Sequence, residues 1–109
     1  MNTVKLIGNV GREIIVRDFE NGKVANFSLA TNETYLNRQK EEVSQTTWHK
    51  VVAWGKLAAQ CEELLAKGKF LTVEGRLQYR EYLNRENQKV QITEIVASRI
   101  TETAKKPTH

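Results

Sequence analysis

Cysteine, proline and histidine are scarce in this sequence, and each scarcity removes a class of protein. The single cysteine, Cys61, permits neither an internal disulfide nor a cysteine-rich zinc site, and it fits a reducing compartment. The only histidines, His49 and His109, have no neighbouring Cys or acidic cluster, so there is no ligand set for a metal and no cofactor is implied. With one proline, Pro107, and no Gly/Ser-rich or low-complexity run before the last several residues, no linker can be drawn, and no internal repeat is present. No stretch approaches the roughly 18 consecutive apolar residues that would cross a membrane. The opening MNTVKLIGNVGR lacks a signal-type apolar core and an Arg/Ser-rich transit pattern. The expectation is a soluble, unprocessed, cytoplasmic protein without a membrane partner.

What is present fits one domain, since 109 residues suffice for a single buried core and leave too little for a second. There are 17 Lys+Arg against 13 Asp+Glu, giving +4 and a pI near 9.3, a balance that favours a polyanionic partner without identifying one. Residues 4 to 10 read as a strand. Residues 13 to 19 and 23 to 31 flank Glu20-Asn21-Gly22, whose Asn-Gly pair is a hairpin signal. Residues 32 to 45 are polar without a period and read as a long projecting hairpin loop before strand-forming residues 46 to 54. From Lys56 to Lys67, Leu57, Ala58, Cys61, Leu64 and Leu65 fall on one helical face, and Gly68 stands where a helix would end. Residues 69 to 83 and 89 to 100 are strands around a polar turn. The pattern β-β-β-helix-β-β predicts an all-β fold with one helix, a five-stranded oligonucleotide-binding (OB) barrel with the helix between strands 3 and 4. The domain is expected over residues 1 to 100, with a short tail at 101 to 109.

Strand alternation places Trp48, Lys50, Val52 and Trp54 on one face, with His49, Val51 and Ala53 on the other. In the next hairpin Arg76, Gln78, Arg80 and Tyr82 share a face opposite Leu77, Tyr79 and Leu83, unless a bulge near Gly75 shifts the parity. Two readings of the tryptophans are open: core packing, which is ordinary for this residue, or exposed platforms, which the company of Lys50 and the polar Arg76 strand favour. Tyr35 lies in a polar stretch, whereas Phe19, Phe27 and Phe70 read as core. Aromatics interleaved with cations are what single-stranded nucleic acid requires, since its bases present π-faces and its backbone presents phosphates.

Enzymatic constellations are missing. Gly8-Asn9-Val10-Gly11 reads as the end of a strand rather than a phosphate clamp, and Gly55-Lys56 lacks the upstream glycine and following Ser/Thr of a phosphate-binding loop. No serine or cysteine nucleophile has an evident base, Glu41-Glu42 and Glu62-Glu63 read as solvated charge, and Cys61 reads as a buried thiol.

The run from Thr47 to Ala58, TWHKVVAWGKLA, strongly resembles a segment of the bacterial-type single-stranded DNA-binding (SSB) protein family. Leu6 to Gly11, Val24 to Thr31, Leu65 to Gly68 and Val73 to Leu77 support it, so the resemblance covers about residues 1 to 100. It implies sequence-tolerant binding and protection of single-stranded DNA in replication, recombination and repair, in a bacterial, nucleoid-associated setting. The stacking positions it implies are Tyr35, Trp48, Trp54 and Tyr82, with phosphate contacts from Arg17, Lys50, Lys56, Lys67 and Arg80. Arg76 is added by strand alternation, and Gln78 stands where relatives can carry arginine. The resemblance also implies a homotetramer with His49 at a subunit contact. The family's acidic, apolar-tipped tail has no counterpart in residues 104 to 109, so tail-dependent replication and repair partners are not expected. An RNA-binding OB domain and a structural subunit of a primosome-like assembly are the alternatives.

Overall fold

Long stretches rich in Val, Ile, Thr and aromatic residues, unbroken by proline, favour extended backbone throughout this chain. The computed structural model describes residues 1–20, 22–66 and 69–103. Its elements run β1 (Val4–Phe19), β2 (Gly22–Leu36), β3 (Glu42–Trp54), α1 (Gly55–Leu64), β4 (Phe70–Leu83) and β5 (Lys89–Glu102). The strands close into a barrel in the order β1-β2-β3-β5-β4. This is the OB barrel expected, with its helix between the third and fourth strands. Neighbours are antiparallel except β3 and β5, which pair in parallel only at Val51–Ile95 and Val52–Val96. Beyond those two pairs the strands part.

Inward-facing residues of every strand fill the barrel. Leu29, Leu71 and Val73 are fully buried beside Val10, Phe27, Val51 and Ile95, and α1 adds Ala58 and Cys61 to the same core. Each large aliphatic side chain so buried contributes roughly 1.5–3 kcal/mol. Lys23 of β2 donates to Glu62 of α1 and lies 3.5 Å from Asp18, fastening the helix to the first hairpin. Glu62 is therefore an ion-pair partner rather than merely solvated charge.

Three boundaries differ from the sequence expectation. First, Gly8 and Gly11 do not end a strand; β1 runs through both, bending at a register shift between Val10 and Ile14. A Cβ at Gly8 would stand 2.1 Å from the carbonyl oxygen of Ala30, so glycine is required there by close approach of β2 rather than by a turn. Second, residues 32 to 45 are mostly ribbon, since β2 and β3 stay paired out to Leu36–Glu42. Both faces of this projecting ribbon meet solvent, so no apolar alternation marks it, and polar cross-strand contacts such as Thr46 Oγ1 to Asn32 Oδ1 at 2.7 Å hold it. Third, α1 stops at Leu64. Leu65 is extended, its N–H donates to the Cys61 carbonyl at 2.6 Å, and its side chain packs against the core instead of continuing the helix. Asn21, Lys67, Gly68 and residues 104–109, on which the expected turn, helix end and tail rest in part, lie outside the described residues.

Both ribbons end in the same turn. Asn37 Oδ1 accepts the N–H groups of Gln39 and Glu41, and Asn84 Oδ1 those of Glu86 and Gln88, all at 2.9 Å. Lys40 and Asn87 take the left-handed conformation, at φ 62° and 60°.

Candidate nucleic-acid interface

The β2–β3 register sets the outer face of the sheet: Trp54 opposes Val24, Val52 opposes Asn26, Lys50 opposes Ser28 and Trp48 opposes Ala30. Because the barrel takes Val51 and Ala53, alternation turns Trp48, Lys50 and Trp54 outward. Trp48 is 62% exposed and Trp54 57%, which rules out the core reading for both rings. Gly11 lies under Trp48, where a Cβ would come within 2.7 Å of the ring carbon Cζ3. Protein thus supports one side of this indole.

Two grooves flank these rings. The first, about 390 Å³, lies where β3 and β5 part and is walled by Trp48, Lys50 and Tyr82, with Leu77 and the β5 stretch 90 to 95. The second, about 340 Å³, is walled by Arg17, Phe19, Trp54, Gln78 and Arg80. Both volumes fall at the lower end of the range that holds small organic ligands, roughly 300–1,000 Å³, so each admits a group the size of a base. Glu94 lines both.

The β4 alignment survives. The irregularity near Gly75 pairs Glu74 with Arg99 and Gly75 with Ala97, so the extra residue is Ser98 on β5 and β4 keeps its parity. Gln78 and Arg80 consequently reach the second groove and Tyr82, 45% exposed, the first.

Among the described residues Arg17, Lys50, Lys56 and Arg76 form no salt bridge, so their charges are free for a polyanion. Arg80 differs: its Nε donates to Glu94 Oε1 at 2.9 Å. Gln78 Nε2 donates to the same oxygen at 3.1 Å.

Not every expected residue joins the grooves. Tyr35 is 49% exposed, but it opposes Val43 and so lies on the ribbon face opposite Trp48. Arg76 lines a separate groove with Asn2, Thr3 and Ser98, and Lys56 sits exposed in the first turn of α1. Lys67 lies outside the described residues. His49 is half-buried with its Nε2 2.9 Å from Thr31 Oγ1; strand alternation sets it against the parity of the tryptophans, yet it also lines the first groove beside Trp48 and Lys50.

Two site residues escaped the sequence reading. Phe19, expected in the core, is 55% exposed because β1 alternates after its bulge: Ile14 and Val16 pack on the core while Ile15, Arg17 and Phe19 face out. That parity was available from Arg17. Glu94 is buried at 7% amid an apolar stretch, and it directly opposes Gln78 across the β4–β5 ladder. Nothing but the register could have revealed this pairing.

A closed five-stranded barrel with its helix between the third and fourth strands, and with exposed indoles between unpaired cations on its outer face, is a domain of the oligonucleotide-binding (OB) fold class. Residues 1–102 match the Single-strand binding protein family, and the chain belongs to it. It is 41% identical over 100 residues to single-stranded DNA-binding protein 1 of Chlorobaculum tepidum, covering 90% of this chain and 62% of that protein. It is 39% identical over 99 residues to the single-stranded DNA-binding protein of Neisseria meningitidis, covering 90% of this chain and 57% of that one. The chain therefore spans about three-fifths of the length of these relatives. Among solved structures it resembles the Plasmodium falciparum SSB in complex with ssDNA, with TM-score 0.86, 35% identity, and 95% of this chain and 96% of that chain covered. It also resembles the small single-stranded DNA-binding protein of Streptomyces coelicolor, with TM-score 0.74, 29% identity and 93% of each chain covered.

Proposed function

We propose that this protein binds and protects single-stranded DNA without sequence selection, as a non-catalytic component of replication, recombination and repair. The observation that carries this reading is the outer face of β3, where Trp48 and Trp54, 62% and 57% exposed, bracket an unpaired Lys50 over two adjoining grooves. Bases stack on Trp48, Trp54 and Tyr82, with Tyr35 engaging strand that continues onto the β2–β3 ribbon. Arg17, Lys50, Lys56, Lys67 and Arg76 meet the phosphates, and Arg80 reaches the same strand with its charge shared with Glu94. Stacking on any base is favourable, so affinity is sequence-tolerant, while phosphate contact makes it salt-sensitive.

The working unit is a homotetramer with His49 near a subunit contact. Exposed apolar residues outside the two tryptophans, Ile7, Tyr79 and Leu83 among them, supply surface that self-association would cover.

Titration of the intrinsic tryptophan fluorescence with oligo(dT) tests the reading. Strong quenching is expected, with affinity falling as salt rises and much weaker binding to duplex DNA, whose bases are already stacked. Equal affinity for duplex and single strand overturns it. A marked preference for RNA of the same sequence assigns the stacking face to RNA instead.

A further inference from the structure

Among the described residues Glu94 is the one buried charged side chain, and it stands where a polyanion would lie. Glu94 lines both grooves, the one walled by Trp48 and Tyr82 and the one walled by Trp54 and Arg17. Oε1 accepts from both Gln78 and Arg80. Oε2 has no hydrogen-bond partner among the described residues, and it is not fully sealed from solvent.

This arrangement has an electrostatic consequence. Arg80 is 54% exposed at its side chain and its guanidinium reaches the groove, but the Glu94 carboxylate 2.9 Å away cancels its charge as seen by a phosphate. Like-charge repulsion from a carboxylate in a partly desolvated groove is felt more strongly than in bulk water. Both donors to Glu94, Gln78 and Arg80, need only an acceptor oxygen for their hydrogen bonds. A glutamine supplies one in nearly the same shape.

We propose that Glu94 is an electrostatic brake on strand binding: by neutralising Arg80 beside the two grooves that Glu94 lines, it holds affinity below what the aromatic and basic face would otherwise give and keeps the bound strand exchangeable. Glu94 acts here through Arg80, as a positioning and charge-setting residue. The inference rests on the single-strand reading above.

Equilibrium binding of oligo(dT) over a salt series tests it on the full chain. Glu94→Gln leaves one more cation for the phosphates, so the plot of log K against log salt should steepen by about 0.7, the increment per neutralised phosphate on a single strand. At about 50 mM salt that increment alone corresponds to roughly eightfold tighter binding. Arg80→Gln combined with Glu94→Gln removes both charges and should return the slope to that of the wild type. A residue that served only the fold would lower the melting temperature and leave the slope alone. Should the glutamine variant not fold, Glu94→Ser is smaller and equally neutral, and it should steepen the slope in the same way. An unchanged slope, or weaker binding, in a folded neutral variant overturns the brake. Failure of the wild-type chain to bind oligo(dT) at all would instead overturn the function on which it rests.

Discussion

Truncating Trp54 separates binding from folding. The indole is 57% exposed, and its cross-strand partner Val24 is 4% exposed, so Trp54→Ala uncovers part of one valine and opens no cavity in the barrel. A tryptophan truly in a core costs about 3–5 kcal/mol when cut to alanine. Here the loss is confined to partial exposure of Val24, and below about 1.5 kcal/mol is expected, since fully burying a valine is worth at least about that much. Binding should fall further than stability. One stacked base is worth about 1–3 kcal/mol, or roughly 5- to 150-fold in the dissociation constant, and Trp54 serves a groove that also contains Arg17 and Arg80. Fluorescence anisotropy of labelled oligo(dT) measures the first quantity, and urea denaturation the second. A stability loss in the core range with binding unchanged would refute the platform assignment.

Phe19→Ala should weaken oligo(dT) binding by about 1 kcal/mol or more if its exposed ring extends the Trp54 groove as a further stacking surface, with little change in the urea midpoint. Should His49 stand at a subunit contact, His49→Lys breaks its bond to Thr31 and sets like charges near symmetric copies, so sedimentation velocity at low micromolar concentration should show dissociation of the tetramer. Burial pushes the Cys61 thiol from its ordinary 9.0 up to about 11. Between those values the unfolded chain releases the thiol proton while the folded chain retains it, so stability falls as pH rises through this window. Subtracting the urea-derived stability curve of Cys61→Ala from that of the wild type isolates this component, and a flat difference from pH 8 to 11 would show that Cys61 plays no part in it.

Much of this site was legible because a strand with one face buried has no freedom of parity. Val51 and Ala53 had to enter the barrel, and that alone sent Trp48, Lys50 and Trp54 outward. The same logic applied to β1 would have placed Phe19 beside Arg17; it was missed because residue type was read in place of alternation. The ribbon at residues 32 to 45 was illegible for the opposite reason, since neither face is buried and its pattern carries no period. Gly8 and Gly11 read as punctuation, yet what calls for glycine is contact with Ala30 and Trp48, residues distant in sequence. Glu94 depends on register twice over, through its ladder partner Gln78 and through Arg80 two residues along the same strand.

The placement of the candidate site bears on which exchanges it should tolerate. Its side chains project from strands whose opposite faces form the core, so the backbone positions that aim Trp48, Lys50 and Trp54 are fixed by Val51, Ala53 and Phe27 rather than by the ligand. A flat aromatic ring on such a strand can be replaced by another with the stacking direction kept, because direction belongs to the strand and only contact area belongs to the ring. Charge is not exchangeable in the same way. On the proposed function each free cation would add its own salt-dependent increment, whereas Arg80 is coupled to Glu94, so a change at either residue alters the net charge beside the two grooves that Glu94 lines. Variation among the aromatics should therefore shift affinity by graded amounts, while variation in the Arg80–Glu94 pair should shift the salt dependence itself.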